Sequence, residues 1–242
     1  GPAVNAGENA DGIQTAVSLT GTNAIAGDTL TLNFTRPDGT TGSVIHTITA
    51  AEITAGSAAL VIPTQTVQSV DNSGNPYVAT ATITDAAGNV STPSSASNFT
   101  LDTGVLNAPT LAITEAADTY INAAERADGA PAGVPATVTL PSGTLAGDTI
   151  TLTLTTPSGV QVITQTVTPA DITAGNTTVN LPAAILGSDG NYAATTTVTD
   201  QSGNVSNASN SVNFTVDATA PIAPTGLVVP EGPTINATEN SD

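Results

Sequence analysis

Carboxylates are the side chains of this sequence with both the number and the spacing to do chemistry. Twenty Asp and Glu stand against two basic residues, Arg36 and Arg126, in 242 residues, for a formal charge of -18. Their densest run is 114–129, Thr-Glu-Ala-Ala-Asp-Thr-Tyr-Ile-Asn-Ala-Ala-Glu-Arg-Ala-Asp-Gly. Calcium takes about six to eight oxygens, and a twelve-residue loop supplies them from alternate positions plus a terminal bidentate carboxylate. Counted from Thr114, Asp118 falls fifth, the Tyr120 carbonyl seventh, Asn122 ninth and Glu125 twelfth. Thr114 and Ala116 occupy the first and third positions and Thr119 the sixth, where glycine is usual, so the loop is a degenerate calcium motif.

Other chemistries lack their parts. His46 is the single histidine, with no matched residue in the second half of the chain, so a zinc or general-base site has no second ligand. A surface strand position is its expected place. No serine has a histidine for a triad, and no phosphate-binding glycine loop is present. Cysteine is absent, which excludes disulfides and thiolate metal sites and leaves oxygen as the metal ligand. The chain reads as non-catalytic. Its charge repels a nucleic-acid backbone or an anionic membrane, and no run of 18 apolar residues crosses one. Neither is an expected partner. Hard divalent cations would relieve the self-repulsion of so acidic a chain, and Ca2+ is the expected cofactor.

The elements that must position these carboxylates are repeated. Ala26-Gly27-Asp28-Thr29-Leu30-Thr31-Leu32 returns as Ala146-Gly147-Asp148-Thr149-Ile150-Thr151-Leu152, and Ile53-Thr54-Ala55-Gly56 as Ile172-Thr173-Ala174-Gly175. Thr84-Asp85-Ala86-Ala87-Gly88-Asn89-Val90-Ser91 returns as Thr199-Asp200-Gln201-Ser202-Gly203-Asn204-Val205-Ser206, and Asn98-Phe99-Thr100-Leu101-Asp102 as Asn213-Phe214-Thr215-Val216-Asp217. A third register begins at Ile235-Asn236-Ala237-Thr238-Glu239, matching Ile121-Asn122-Ala123-Ala124-Glu125 and Val4-Asn5-Ala6-Gly7-Glu8.

Period-two alternation in the second copy predicts strands near 109–114, 134–140, 148–156, 161–167, 177–181, 192–199 and 211–216, separated by Pro157-Ser158-Gly159, Ser188-Asp189-Gly190-Asn191 and Ser202-Gly203-Asn204 turns. Seven short strands specify an all-β class of tandem immunoglobulin-like sandwiches. The expected division is 1–103, a module lacking its leading strand; 104–219, a complete module; and 220–242, the leading strand and acidic loop of a third. An open sheet edge invites strand addition, which leaves two readings of the tail strand near 223–229: it adds to the first module of another molecule, or it is simply loose. Neighbouring modules of the same chain are the other expected partners.

Strand direction assigns loops to poles. In module two, Glu125, Asp128, Asp189 and Asp217 belong to one end, and Asp148, Asp171 and Asp200 to the other, facing Asp102 of module one. Carboxylates gathered at a junction repel unless a cation joins them. The candidate calcium ligands are Glu8, Asp11, Asp28, Asp71, Asp85, Asp102, Asp118, Asn122, Glu125, Asp128, Asp148, Asp189, Asp200, Asp217 and Glu239. For Asp148, Asp189 and Asp200 the competing reading is turn chemistry, since Asp beside Gly or Asn stabilises tight turns without metal. Tyr77 and Tyr192 open one strand in each copy, where such sandwiches place a tyrosine whose hydroxyl ties down a loop, and with Phe99 and Phe214 they read as core. The Thr149, Thr151, Thr153, Thr155 series reads as the outward face of a half-buried strand.

These residues carry a resemblance. The Ile121–Glu125 segment, the Thr199-Asp200-x-x-Gly203-Asn204-x-Ser206 turn and the Val216-Asp217-Ala218-Thr219-Ala220-Pro221 exit resemble the bacterial immunoglobulin-like extender repeats of giant, type I-secreted, repeats-in-toxin biofilm adhesins. The resemblance implies a secreted, extracellular, bacterial cell-surface protein in which arrayed modules bind calcium at their junctions and hold an adhesive region away from the cell. Leu101-Asp102-Thr103-Gly104 departs from it in lacking the proline after the exit. The leading expectation is therefore a structural spacer rigidified by calcium. The alternative is a direct carbohydrate- or protein-binding module, for which six Tyr and Phe and no Trp give little material for an aromatic platform.

Overall fold

The computed structural model describes residues 2–69, 76–127 and 133–227. The candidate ligands Asp71, Asp128 and Glu239 lie outside them. The Thr-Leu-Thr-Leu-Asn-Phe alternation from Thr29 puts Leu30, Leu32 and Phe34 into a core and the polar residues outward. In chain order the first half forms β1 (Ala3–Val4), α1 (Ala6–Ala10), β2 (Ile13–Ser18), β3 (Thr29–Thr35), β4 (Thr41–Thr47), α2 (Ala50–Ala55), β5 (Ser57–Ile62), β6 (Tyr77–Thr84) and β7 (Ser97–Leu101). A five-stranded sheet, β1-β7-β6-β3-β4, faces a two-stranded sheet, β2-β5.

The second half repeats the plan with one more strand. It forms β8 (Thr110–Ile113), a 3-10 turn at Thr114–Ala116, β9 (Tyr120–Asn122), α3 (Ala123–Ala127), β10 (Gly133–Thr139), β11 (Thr149–Thr156), β12 (Gly159–Thr166), α4 (Pro169–Ala174), β13 (Asn176–Pro182), β14 (Gly190–Thr199) and β15 (Val212–Asp217). Sheet β12-β11-β14-β15-β9 faces β13-β10-β8. Each half is a β-sandwich around its own apolar cluster. One contains Leu30, Ile48, Ile62, Tyr77 and Leu101, the other Val134, Ile150, Leu152, Leu181 and Val216. The fold class is all-β, with two immunoglobulin-like sandwiches in tandem.

The structure adds elements that the alternation does not predict. The repeated Ile-Thr-Ala-Gly segments end one-turn helices. Thr49 and Thr168 accept from the N–H of Glu52 and Asp171, whose carboxylates accept from the N–H of Thr49 and Thr168 in return. Gly56 and Gly175 close these helices with φ of 72° and 71°, which only glycine adopts without strain. The short strands β1 and β9 pair in parallel with β7 and β15, closing the edge of each larger sheet.

Tyr77 stacks on Phe99 at 4.9 Å and Tyr192 on Phe214 at 5.4 Å between ring centroids. Their hydroxyls donate to the carbonyls of Val67 and Ser188, as a loop-tying tyrosine requires.

Candidate functional site

The site is built where the first sandwich leaves β7 and meets the turn between β14 and β15 of the second. That turn, Asp200 to Asn204, exists because Asp200 Oδ1 accepts from the N–H groups of Ser202 and Asn204, and its Oδ2 from the Asn204 amide at 2.9 Å. The same arrangement in the first sandwich uses Asp85 and Asn89. The Asn89 amide beside it holds the Asp85 carboxyl below the usual carboxylate range. These repeated Asp residues therefore do the turn chemistry that competed with a ligand role.

The two turns differ in what lies on them. Asn89 is exposed, whereas Asn204 is 4% exposed because the first sandwich covers it. The Asn204 amide donates to the Asp102 carbonyl at 2.9 Å, and its Oδ1 accepts from the Ala6 N–H at 2.8 Å. Ser202 donates its hydroxyl to Asp102 Oδ2 at 3.0 Å. Two segments of the first sandwich, the start of α1 and the end of β7, thus converge on one turn of the second. A Cβ on Gly203 would sit 3.2 Å from Asn5 Nδ2, so the turn approaches closely at its tip.

Asp148 enters the same pole from the start of β11. It is 2% exposed; Oδ2 accepts from the Leu145 N–H at 2.8 Å, while Oδ1 is buried without a hydrogen-bond partner. Burial, with the nearby Asp200 charge added, raises its pKa above the ordinary carboxylate value, against the Leu145 N–H and the Gln201 backbone and side-chain amides, which approach the same carboxyl and lower it. Asp28 has the same bonding in the first sandwich: it is 4% exposed, its Oδ2 accepts from the Ile25 N–H, and its Oδ1 has no hydrogen-bond partner. A buried carboxylate oxygen with no donor costs free energy, and it is a group that a hard cation would satisfy.

The remaining candidate ligands are dispersed. Asn122 Oδ1 accepts from the N–H groups of Ala124 and Glu125, and Glu125 Oε2 from the Asn122 N–H, so the spacing that suggested a calcium loop is the spacing of a helix cap on α3. Asn5 and Glu8 make the same box on α1. Asp118 caps the Tyr120 N–H, and Asp11 ends α1. Asp171 is tied to Thr168, away from the Asp200 turn in its bonding.

At the far pole of the second sandwich Asp189 accepts from the Ala218 N–H and the Thr219 hydroxyl, and Asp217 from the Thr219 N–H. Thr219 chiefly, with the Arg126 charge contributing, holds the Asp189 carboxyl below the usual range. Arg126 also donates to the Leu186 carbonyl. Among the described residues no three Asp, Glu, His or Cys side chains converge to hold a metal ion. Any cation at the junction would therefore draw on one or two carboxylates, completed by carbonyl, amide or water oxygens.

His46 is not a free surface residue. Its Nε2 lies 2.8 and 2.9 Å from the two Glu52 oxygens, and this bond, with those of Thr49, lowers the Glu52 pKa to about 2. Gln165 takes its register position on β12 and donates to Thr177 instead. Ser202, Asn204 and Ala6 are the junction residues that strand patterning misses. Their signal lay in the Asn retained at 89 and 204, although nothing local distinguishes the exposed copy from the covered one.

No curated protein matches the chain by sequence. The family model for the BppU N-terminal domain matches residues 142–225. Among solved structures the chain is similar to a Ca2+-stabilized adhesin that helps an Antarctic bacterium reach out and bind ice, at 28% identity, 90% of this chain, 47% of that chain and a TM-score of 0.43. It is similar to a 1.5-MDa bacterial ice-binding adhesin at 26% identity, 90% and 61% coverage and a TM-score of 0.38. A tetra-tandem repeat from the extending region of a large adhesion protein is 19% identical, with 86% and 46% coverage and a TM-score of 0.33. The chain spans between 46% and 61% of the length of these three structures.

Proposed function

We propose that this chain is an extender segment of a bacterial cell-surface adhesin, a non-catalytic spacer outside the cell whose modules divide after residues 103 and 219. Calcium braces the joint between modules. The observation that carries the reading is the junction itself. Asp102 and Ala6 of one sandwich are hydrogen-bonded to Ser202 and Asn204 of the next, so the joint is a specific contact and not a loose tether. Beside it, Asp148 leaves Oδ1 buried and unpartnered. Asp148 is the anchor this proposal assigns to the ion, with Asp200 and Asp102 supplying adjacent charge. When bound, calcium would neutralise carboxylates that otherwise repel.

The rival reading, direct binding of carbohydrate or protein, needs exposed aromatic surface. Tyr77, Tyr192, Phe34, Phe99 and Phe214 are buried, and Tyr120 is the one aromatic side chain that is exposed. That favours the spacer.

A calcium titration of thermal stability tests the proposal. A cation that binds the folded form alone raises the melting temperature with its concentration. The chain should show that rise, and Asp148→Asn should show a smaller one while being no less stable in chelator. A melting temperature indifferent to calcium sinks the bracing role.

A further inference from the structure

One long edge of the second sandwich is unguarded. Strand β12 pairs with β11 and with no other strand among the described residues. Its neighbours in the chain, β11 and α4, are both in place, so the open edge belongs to the sandwich itself. Folded proteins blunt such edges by brevity, proline or charge, and the other edges of this sandwich follow that rule. β9 has three residues, between Asp118 and Glu125; β8 has four, between Pro109 and Glu115; β13 ends in Pro182. β12 runs for eight residues, Gly-Val-Gln-Val-Ile-Thr-Gln-Thr, with neither proline nor charge. The matching strand of the first sandwich, β4, carries His46 bonded to Glu52 where β12 has Gln165.

Both the side chains and the backbone of β12 are available. Register sets Val160 beside Thr155 and Val162 beside Thr153 on the outward face of the sheet, and the two valines are 61% and 59% exposed. Hydrogen-bond direction is fixed at the end of the strand, where the Val167 N–H donates to the Asp148 carbonyl on the β11 side. Successive residues of an antiparallel strand alternate direction. The N–H and C=O groups of Val160, Val162, Thr164 and Thr166 therefore point away from β11, into the open edge. Charge limits what can meet them. A formal charge of -18 makes most approaches of one copy to another repulsive. Yet residues 149–170, 190–199 and 201–216, which hold β11, β12, β14 and all of β15 but Asp217, contain no Asp, Glu, Lys or Arg. The flank of the sandwich is a neutral surface on an acidic body, so two copies can touch there without bringing carboxylates together.

We propose that β12 is a self-pairing edge: the β12 strands of two copies join antiparallel about a twofold axis at Ile163, making their five-stranded sheets one continuous sheet. A second copy fits because the outward residues are two valines followed by two threonines, which complement one another under that axis. Val162 falls opposite the partner's Thr164 and Val160 opposite the partner's Thr166, so every outward N–H and C=O finds a bond. Each valine gains a β-branched cross-strand neighbour, a pairing that stabilises sheets. Ile163, half-buried against the core, meets the partner's Ile163 on the inner face. The same surface is used on both copies, so the contact closes as a dimer and does not propagate.

Sedimentation equilibrium of the full chain over a concentration series tests this, beside the variants Thr164→Pro and Val162→Glu. Proline removes one outward N–H from an edge strand, where it is tolerated, and glutamate puts a charge on the edge of each copy. The full chain should rise from 23.6 kDa toward twice that mass, more readily at about 1 M than at about 0.01 M salt, because salt screens the repulsion between the two acidic bodies. Both variants should remain at one-chain mass, whereas Ile45→Glu, a like change on β4, should associate as the unaltered chain does. Hydrogen exchange at Val160, Val162, Thr164 and Thr166 should slow in the associated state. A full chain that stays at one-chain mass, association retained by either β12 variant or lost in Ile45→Glu, or those amides exchanging equally fast in dilute and concentrated solution each overturns the proposal.

Discussion

Replacing Asn204 by Ala separates the junction from the turn that carries it, because the first sandwich contains its own control. Asn204 and Asn89 make the same bonds within their turns, to Asp200 and Asp85. Only Asn204 also accepts from Ala6 and donates to Asp102. Each such bond contributes about 0.5–1.5 kcal/mol net. Asn204→Ala is therefore expected to cost about 1–3 kcal/mol more than Asn89→Ala in denaturant unfolding, the difference being the two inter-sandwich bonds. The chain has no cysteine, so Ser57→Cys and Ser158→Cys, both at exposed positions, place a dye on each sandwich for energy transfer. Asn204→Ala should broaden the distance distribution between the dyes and Asn89→Ala should leave it unchanged. Equal losses of stability, with the same distribution in both variants, would refute the assignment of Asn204 to the joint.

Tyr192→Phe removes the hydroxyl that donates to the Ser188 carbonyl at 2.8 Å and leaves the ring stacked on Phe214, so urea unfolding should show a loss of about 0.5–1.5 kcal/mol. Tyr77→Phe should do the same through Val67. The Glu52 carboxyl, lowered from its ordinary 4.5 to about 2 by His46 and Thr49, contributes stability that is present above 4.5 and lost as pH falls through about 2. Acid titration of unfolding should therefore lose part of its slope between those values in Glu52→Gln, and an unchanged slope would remove the His46–Glu52 pair from the account.

The large strands were legible because Thr-Leu-Thr-Leu and its second copy alternate cleanly, and the loop-tying tyrosines because they recur at strand starts. The one-turn helices α2 and α4 were missed, although Thr49-x-x-Glu52 and Thr168-x-x-Asp171 are capping signals, because a single turn is too short to show a helical period. Strands β1 and β9 are two and three residues long and are defined by parallel partners some hundred residues away, which no local pattern encodes. The acidic residues were the least legible. Spacing identifies a carboxylate but not what satisfies its oxygens: the Asn122–Glu125 pair turned inward to cap a helix, while the orphan oxygen of Asp148 is visible only once β11 is folded.

Small-angle scattering of the full chain in calcium and in chelator tests the spacer account most directly, measured dilute enough to hold the chain at one-chain mass. A joint braced at Asp102, Asp148 and Asn204 predicts one well-defined maximum dimension in calcium and a shorter, broader pair-distance distribution in chelator. Superimposable curves in the two conditions would contradict it.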